Sequence, residues 1–352
     1  MFAKITINDA ENWDRIVKNF DNFDVYYLSG YVKAFQIHGD GEPILFFYKD
    51  EKIRAMNIVM KNDIANNENF LGKVPPNTLF DITTPYGYGG FIIEGEIGTD
   101  NLKRLNSEYS TLCKKENIIS EFVKFHPVLK NAIYQNILYD IIDLGRTITI
   151  DIKSKEHIWN TLTSKNRNMI RKAKKSKVKI YWGRDPWLFE EFAILYNSTM
   201  EKKNAKKYYY FKRNFYDSIL IDLKNNSLIF YAKFEEQIIA MSIIIFAGKI
   251  MNYHLSAINV EYKKFAPINL LLYEAFCWGS ENGYEFLHLG GGVGSREDSL
   301  FEFKATFNKN STTRFSIGRK IFDDDKYKEL LEIRKQDMSF KEDSSFLIAY
   351  RQ

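Results

Sequence analysis

The chain has 352 residues, of which 45% are apolar and 16% aromatic, so it is neither a disordered nor a fibrous protein. This length exceeds the size at which one hydrophobic core usually stops growing, which favours two domains. The net charge of +5 is too small to identify a nucleic-acid partner by itself. The two cysteines, Cys113 and Cys277, lie far apart, which argues against a disulfide scaffold.

No targeting or membrane signal is visible in the sequence. The N-terminal residues reach Asp9 and Glu11 without an apolar stretch, which argues against a secretion signal. The richest apolar run, residues 240–247, has the length of a strand rather than of a membrane span. We therefore expect a cytoplasmic protein without a transmembrane segment, and transient contact with membrane-linked substrates stays open. The histidines show no metal-ligand spacing, so no metal is expected.

Hydrophobic periodicity predicts alternating helices and strands along the whole chain. In the first half we expect helices at 13–23, 30–36 and 101–117 and strands at 43–48, 53–60, within 78–93, and at 118–125. After a linker-like Gly145-Arg146-Thr147 we expect helices at 159–175, 187–202, 211–224, 268–282 and 299–307 and strands at 178–182, 228–244 (a hairpin), 249–256, 285–289 and 313–318. The linker predicts two domains, residues 1–148 and 149–352.

One pattern occurs twice in the chain. Apolar runs at 44–48 and 53–59 flank a charged turn, and runs at 228–232 and 238–244 repeat this arrangement, each with an Ala-Met pair in its second run. Each hairpin follows a helical, aromatic-rich segment and precedes a strand, a helix and a strand, which indicates an internal repeat. The predicted fold class is mixed α/β, with two tandem units that each form a mixed sheet covered by helices.

A basic run lies between residues 165 and 179. It has no acidic residue, so it offers no i,i+4 ion pairs. Apolar residues nearby recur at the spacing of one helix face: Trp159, Leu162, Met169, Ile170 and Ala173. The cations form either a solvated helix face or a surface for the phosphates of RNA or a nucleotide.

The order of elements resembles the GNAT acyltransferase fold in tandem, as in the Fem family of peptidoglycan aminoacyltransferases. The resemblance covers most of the chain and depends on motifs at residues 28–33, 85–90, 167–173, 253–256, 289–292 and 300–304. It implies amide formation, in which an amine attacks an activated acyl carbonyl and an oxyanion develops.

The resemblance also implies roles for individual residues. Lys304, which follows Phe303, matches the lysine that neutralises charge at the reacting centre, and Lys33 matches the lysine that contacts the diphosphate of a nucleotide-linked acceptor. Tyr209 and Arg213 lie where family members contact acceptor phosphates. The alternatives are ordinary surface lysines for the first two and a solvated helix entry for the others.

Further candidates come from local chemistry. Tyr86 and Tyr88 lie in a glycine-rich turn that either approaches the acceptor closely or is simply packed by aromatic rings. Tyr253 and His254 are neighbours on a strand and should point to opposite faces, so one should face the cleft. His254 is either the general base for the amine or a core histidine. Gly291 belongs to a cluster whose backbone can approach the acyl group.

The acyl donor is inferred from a missing loop. Acetyl-CoA-dependent GNAT domains carry a glycine-rich pyrophosphate loop, whereas residues 260–269 here contain no glycine, and Pro267 lacks an N–H. This favours aminoacyl-tRNA as co-substrate, with no bound cofactor and with its phosphates contacted by Arg167, Arg171, Lys172 and Lys175. The expected acceptor is an amine of a nucleotide- or lipid-linked cell-envelope precursor. Two alternatives stay open: an acyl-CoA-dependent enzyme acting on an amino sugar, and a tandem unit that binds tRNA or glycan without catalysis.

Overall fold

The computed structural model describes residues 1–337, 340–341 and 348–352. The chain forms two compact units, the first comprising Met1–Asp21, Tyr26–Leu144 and Phe315–Gln352 and the second Asn22–Val25 and Gly145–Arg314. In the described part of the chain, no helix is both long enough and apolar enough to span a bilayer.

The elements follow the predicted alternation closely. The first half contains β1 (Phe2–Thr6), α1 (Ala10–Lys18), α2 (Ser29–His38), β2 (Glu42–Lys49), β3 (Ile53–Asp63), β4 (Phe80–Thr83), β5 (Ile92–Gly95), α3 (Thr99–Lys115), β6 (Ile118–Lys124) and β7 (Asp140–Arg146). The rest contains β8 (Ile148–Asp151), α4 (Lys155–Thr161), α5 (Ser164–Lys175), β9 (Lys179–Gly183), α6 (Pro186–Lys202), α7 (Arg213–Asp222), β10 (Ser227–Phe234), β11 (Gln237–Ala247), β12 (Ile250–Ile258), α8 (Pro267–Glu281), β13 (Phe286–Gly290), α9 (Ser299–Ala305), β14 (Arg314–Ile321) and α10 (Asp324–Lys335).

The two sheets share one strand order. The first runs β1-β2-β3-β4-β6-β14-β7, with β5 beside β3, and the second, from its far edge, runs β9-β10-β11-β12-β13-β8. In both sheets each of the first four strands is antiparallel to its neighbours among them, the fourth and fifth are parallel, and the sixth is antiparallel to the fifth. The hairpins β2-β3 and β10-β11 thus occupy equivalent positions, and the predicted tandem fold is confirmed.

Helices cover the parallel pair because parallel neighbours need a crossover connection. In the second unit α8 makes this connection between β12 and β13 and buries Leu271, Leu272 and Phe276 in the core. In the first unit α3 plays the same part and buries Leu105 and Tyr109.

The predicted domain boundary at residue 148 is close to the observed one, but two segments were assigned to the wrong unit. The strand predicted at 313–318 is β14, which pairs with β6 of the first sheet, Gly318 opposite Val123. Residues from Phe315 onwards therefore belong to the first unit. Asn22–Val25 belongs to the second, where buried Asp24 accepts a hydrogen bond of 2.8 Å from the amide of Asn252. Residue patterns indicate that a strand is buried but not which strand it pairs with.

The single helix predicted at 159–175 is wrong, because the chain forms α4 and α5 with a break between them. Thr163 has an extended backbone (ψ 156), and its hydroxyl accepts a hydrogen bond from the backbone N–H of Asn166 at 3.3 Å. This is an N-cap, which satisfies a donor that the start of a helix leaves open. In the sequence, this break is indicated only by a threonine in the middle of the apolar helical pattern.

The first core contains a buried carboxylate. Glu121 on β6 is fully buried and accepts hydrogen bonds from the amide of Asn57 (2.8 Å) and the hydroxyls of Tyr109 (3.0 Å) and Tyr139 (3.1 Å). Burial raises the pKa of Glu121 to about 7, although the three donors act in the opposite direction.

We expect this carboxylate to make stability depend on pH. Because its folded pKa lies above its unfolded value, its contribution is fully present below pH ~4.5 and is lost as pH rises to 7, by about 3 kcal/mol in total. Glu121→Gln should remove this dependence. Chemical denaturation of both proteins between pH 4.5 and 8 measures it, and two parallel stability curves would contradict the assignment.

Candidate active site

The parallel ladder of the second sheet ends inside β12. Its paired residues run from Ile250–Phe286 to Asn252–His288, although β12 itself continues to Ile258. A bulge follows at once, because Ile243 pairs with Leu255 and Ile244 with Tyr253, which leaves His254 as the extra residue. The sheet therefore loses its β12-β13 pairing where Tyr253 and His254 lie, and backbone groups there can face a ligand.

The first sheet has no such gap in the corresponding place among the described residues. There the loop after β4 extends the β4-β6 ladder. The N–H of Thr84 donates a hydrogen bond to the carbonyl of Phe122 (3.1 Å), and the N–H of Gly89 donates one to the carbonyl of Lys124 (2.8 Å). The interrupted ladder thus distinguishes the second unit from the first.

The glycine cluster forms a tight connection between β13 and α9. A Cβ at Gly292 would overlap the carbonyl oxygen of Arg296 and the carboxylate of Asp298. Asp298 accepts hydrogen bonds from the N–H groups of Val293 (3.2 Å) and Phe301 (3.0 Å) and so caps α9. Gly292 is therefore needed for the backbone approach that positions α9 at the end of β13.

Lys304 is the buried cation that this connection positions. It lies on α9 with 8% of its surface exposed, and its Nζ donates a hydrogen bond of 2.7 Å to the carbonyl of Gly291. Burial lowers its pKa to about 8, so the ammonium form still predominates at neutral pH. An ammonium has three donors, and a ligand can use those not directed to Gly291. The alternative of a surface lysine is wrong.

Tyr253 and His254 are both half-buried on β12. Tyr253 packs against the core of the second unit, and burial raises its pKa despite hydrogen bonding with Ser242 and Ser256. Burial lowers the pKa of His254 to about 3. An imidazole with this pKa is neutral at pH 7 but a weak proton acceptor, and since His254 is only half-buried, its role as general base or core histidine stays a prediction.

The basic helix α5 presents cations above aromatic rings. The guanidinium of Arg171 lies 5.3 Å from the ring centroid of Trp159, and Nζ of Lys174 lies 5.2 Å from that of Tyr273. Lys172 and Lys175 are exposed. The sequence could not show that Glu274 of α8 pairs with Lys174 at 3.2 Å, since the two belong to different helices.

Arg167 differs from the other predicted phosphate ligands. Its Nη1 donates to the carbonyls of Leu162 (2.5 Å) and Trp159 (3.3 Å) at the end of α4, and its Nη2 donates to Ser164 (3.2 Å). The guanidinium therefore satisfies helix-terminal carbonyls, a structural role that its place in the basic run did not indicate.

Tyr209 and Arg213 lie on the connection from α6 to α7. Tyr209 is at the surface in a 3₁₀ turn and contacts the ring of Tyr208 edge-on. Arg213 begins α7, is exposed, and pairs with Glu190 of α6 at 2.7 Å. Both side chains are accessible. The carboxylate of Glu190 reduces the positive charge that Arg213 would offer to an acceptor phosphate.

The first unit brings Tyr86 and Tyr88 to the helix that carries Lys33. The hydroxyl of Tyr31 on α2 donates to the carbonyl of Tyr86, and Phe35 on the same helix stacks on the Tyr86 ring at 5.1 Å. Lys33 itself is exposed. Burial raises the pKa of Tyr88, whose ring packs edge-on against Tyr26. Aromatic packing of this turn is thus observed, and binding of an acceptor by it stays a prediction.

Sequence reasoning missed Lys124 at the end of β6. Its Nζ lies 5.8 Å from the ring centroid of Tyr86. Burial lowers its pKa to about 8, while the nearby carboxylate of Asp40 acts in the opposite direction. The first unit therefore places a lysine of β6 near Tyr86. A lone lysine ending a strand carries no distinguishing sequence signal.

Comparison with known proteins agrees with this architecture. Residues 163–304 match the family model of the acetyltransferase (GNAT) domain. A search of curated protein sequences gave no match. The fold is similar to that of FemX, with a TM-score of 0.65 and 14% identity over 93% of this chain and 99% of FemX.

Two further solved structures share the fold. One is the C-terminal domain of a provisionally named lysylphosphatidylglycerol synthetase from Agrobacterium fabrum, with a TM-score of 0.55 and 13% identity over 89% of this chain and 91% of that domain. The other is a conserved protein of unknown function from Bacteroides thetaiotaomicron, with a TM-score of 0.56 and 12% identity over 90% of this chain and 98% of that protein. Residues 163–304 of the second unit thus resemble a GNAT acetyltransferase domain, and the chain has a tandem GNAT fold like that of FemX, which supports an acyltransferase activity.

Proposed function

We propose that this chain forms amides by transferring an aminoacyl group from aminoacyl-tRNA to an amine of a nucleotide- or lipid-linked cell-envelope precursor of the peptidoglycan type. The observation that carries the proposal is the ammonium of Lys304, buried at the end of β13 and hydrogen-bonded to Gly291. A fixed cation in a site of low polarity stabilises an oxyanion far better than one in water.

The proposed reaction needs only the acceptor amine, the ester of the donor and the ammonium of Lys304. The acceptor amine attacks the ester carbonyl, a C–N bond forms, and the carbonyl electrons move to oxygen, where Lys304 stabilises the negative charge. When the intermediate collapses, the C–O bond to the ribose breaks, and the released hydroxyl takes up the proton lost by the amine. Stabilisation of this kind contributes about 3 to 4 kcal/mol to lowering the barrier.

The donor proposal rests on the segment before α8 and on the basic helix. Ala266 adopts a left-handed conformation (φ 54), and Pro267 then begins α8. Pro267 offers no N–H to a pyrophosphate, whereas α5 offers exposed cations to the many phosphates of a tRNA. The name of the Agrobacterium neighbour, which denotes an aminoacylated lipid, is consistent with an aminoacyl donor.

An acyl-CoA donor with an amino-sugar acceptor is the second candidate. It is favoured by the match to an acetyltransferase domain and by Lys263 and Lys264, which precede α8 and can attract an anion together with the helix dipole.

Donor discharge separates the two candidates. The purified protein is incubated with a radiolabelled aminoacyl-tRNA pool or with an acyl-CoA pool, each with a nucleotide-linked muramyl peptide and, separately, an amino sugar. We expect loss of the ester label from tRNA that depends on the muramyl peptide and is strongly reduced in Lys304→Met. Discharge of acyl-CoA alone would establish the second candidate, and discharge of neither would indicate a binding module.

We expect the exposed cations of α5 to bind the donor through its phosphates. Replacing Arg171, Lys172 and Lys175 with Gln should weaken tRNA binding and flatten the plot of log K against log salt by roughly 0.7 for each single-stranded phosphate that the variant no longer binds. The control carries Gln at Lys103, Lys114 and Lys115 of α3, which changes the net charge equally. Filter binding between 50 and 300 mM salt measures both slopes, and equal slopes would refute the role of α5.

A further inference from the structure

The free edge of the second sheet carries an exposed aromatic surface. Strand β9 forms this edge and pairs with β10, Tyr181 opposite Tyr231 and Lys179 opposite Lys233. Directly opposed residues of paired strands point to the same face. We call the set of Lys179, Tyr181, Trp187, Tyr231 and Lys233 the aromatic edge.

The rings of the aromatic edge are arranged as a platform. Tyr181 and Tyr231 stack with centroids 5.5 Å apart and planes inclined by 24°, and Trp187 at the start of α6 contacts Tyr231 edge-on at 6.1 Å. Tyr181 is 40% exposed and Trp187 is 44% exposed. Exposed aromatic rings that pack mainly on one another leave ring faces for a planar ligand.

Cations flank these rings. Nζ of Lys233 lies 6.0 Å from the ring centroid of Tyr181, and Lys179 stands beside it on the neighbouring strand. The basic run of α5 leads directly into β9 through Lys177, whose left-handed backbone (φ 61) makes the turn. The positive surface of the helix is therefore continuous in sequence with the aromatic edge.

A pocket of about 340 Å³ borders β9 and the helices α5 and α8. It lies along β9 and is lined by Lys174 and Glu274 from the helices and by Lys179, Ile180 and Tyr181 from the strand. Glu274 is paired with Lys174, so the lining keeps an excess of positive charge. A pocket of this size lies in the range that small ligands occupy.

Single-stranded nucleic acid is the partner whose chemistry fits this combination. Its bases stack on aromatic side chains regardless of sequence, and its phosphates bind lysines that follow the backbone. Two other interpretations fit less well. An edge strand that merely faces solvent needs charged side chains but no stacked rings. An edge that pairs with a strand of another chain would be obstructed by these large side chains and lysines.

We propose that the aromatic edge binds unpaired nucleotides of an RNA, with bases stacked on Tyr181 and Tyr231 and phosphates on Lys179 and Lys233. This deepens, and rests on, the proposed use of an RNA-linked donor. The unpaired end of a charged tRNA has the required chemistry. The edge would thus add a stacking contact to the electrostatic contacts of α5.

The test asks whether RNA binding needs an aromatic ring at position 181 or only a large apolar side chain. Binding of fluorescein-labelled dodecauridylate and of uncharged tRNA is measured by anisotropy for the full chain, Tyr181→Leu, Tyr181→Phe and Tyr231→Leu. Removing the ring under one stacked base should weaken binding by about 5- to 150-fold in the Leu variants. Tyr181→Phe keeps the ring and should bind within about twofold of the parent. Tyr134→Leu, at an exposed tyrosine of the first unit, is the matched control.

Each outcome decides the proposal. Unchanged RNA binding in both Leu variants overturns it, as does a change in sedimentation of these variants without a change in RNA binding, which would identify a protein interface. If the Leu variants lose binding while the parent discharges no aminoacyl-tRNA, the aromatic edge is confirmed and the donor proposal fails. If the parent discharges aminoacyl-tRNA while the Leu variants bind normally, only the aromatic edge is refuted. A parent that binds neither RNA refutes both.

Discussion

Lys304→Met is expected to lower kcat by about 10²- to 10³-fold with little change in the KM of the acceptor. The side chain of Met has a similar length and is apolar, so it fills the buried position without supplying a cation. An interaction that forms only with the developing oxyanion affects the barrier rather than the binding of substrate. Steady-state kinetics with saturating donor measures both constants.

Two comparisons distinguish this role from a structural one. Burying a cation costs free energy, so Lys304→Met should melt no lower than the parent protein. Lys309→Met removes an exposed lysine from the same unit and should leave kcat unchanged. A Lys304 variant that retains full kcat would refute the assignment.

Lys33→Ala should show the opposite kinetic pattern. A phosphate far from the reacting carbonyl is bound equally in the ground state and the transition state, so removing its partner raises the acceptor KM and leaves kcat nearly unchanged. The exposed position of Lys33 on α2 is compatible with such a contact. A fall in kcat at unchanged KM would contradict the acceptor role.

Gly292→Ala is expected to reduce kcat by about 10²-fold or more, because displacing a catalytic group by about 1 Å has an effect of this size. The added Cβ would overlap Arg296 O and the carboxylate of Asp298, so the connection must move. Asp298 caps α9, and its displacement would shift Lys304 away from Gly291. Kinetics and thermal melting of the variant measure the effect.

Gly294→Ala is the matched control within the same cluster. Gly294 has a left-handed backbone (φ 60), but the space around its Cβ position is open, with the nearest atom 3.9 Å away. Alanine there should cost about 1 to 2 kcal/mol of stability through backbone strain and leave kcat largely unchanged. Equal loss of kcat in both variants would show that the close approach of Gly292 to Asp298 is not the cause of the loss.

Much of the fold could be predicted because it depends on local periodicity. The hairpins β2-β3 and β10-β11, the helices α3 and α8, and the strands after them lie within a few residues of their predicted bounds. The break between α4 and α5 was missed because apolar spacing continues across it, although Thr163 is a favourable N-cap residue. Periodicity reports which faces are buried, and it reports chain breaks only weakly.

The sequence by itself determined the tandem repeat and the motif of glycines and Lys304, because both are encoded by neighbouring residues. Tertiary structure alone decided that β14 pairs with β6 of the first sheet and that the β12-β13 ladder ends at Asn252. It also decided the low pKa of Lys304, the high pKa of Glu121, and the stacking of Tyr181 on Tyr231. Strand pairing and burial join residues distant in the chain, and a pKa follows from the groups that folding places around it.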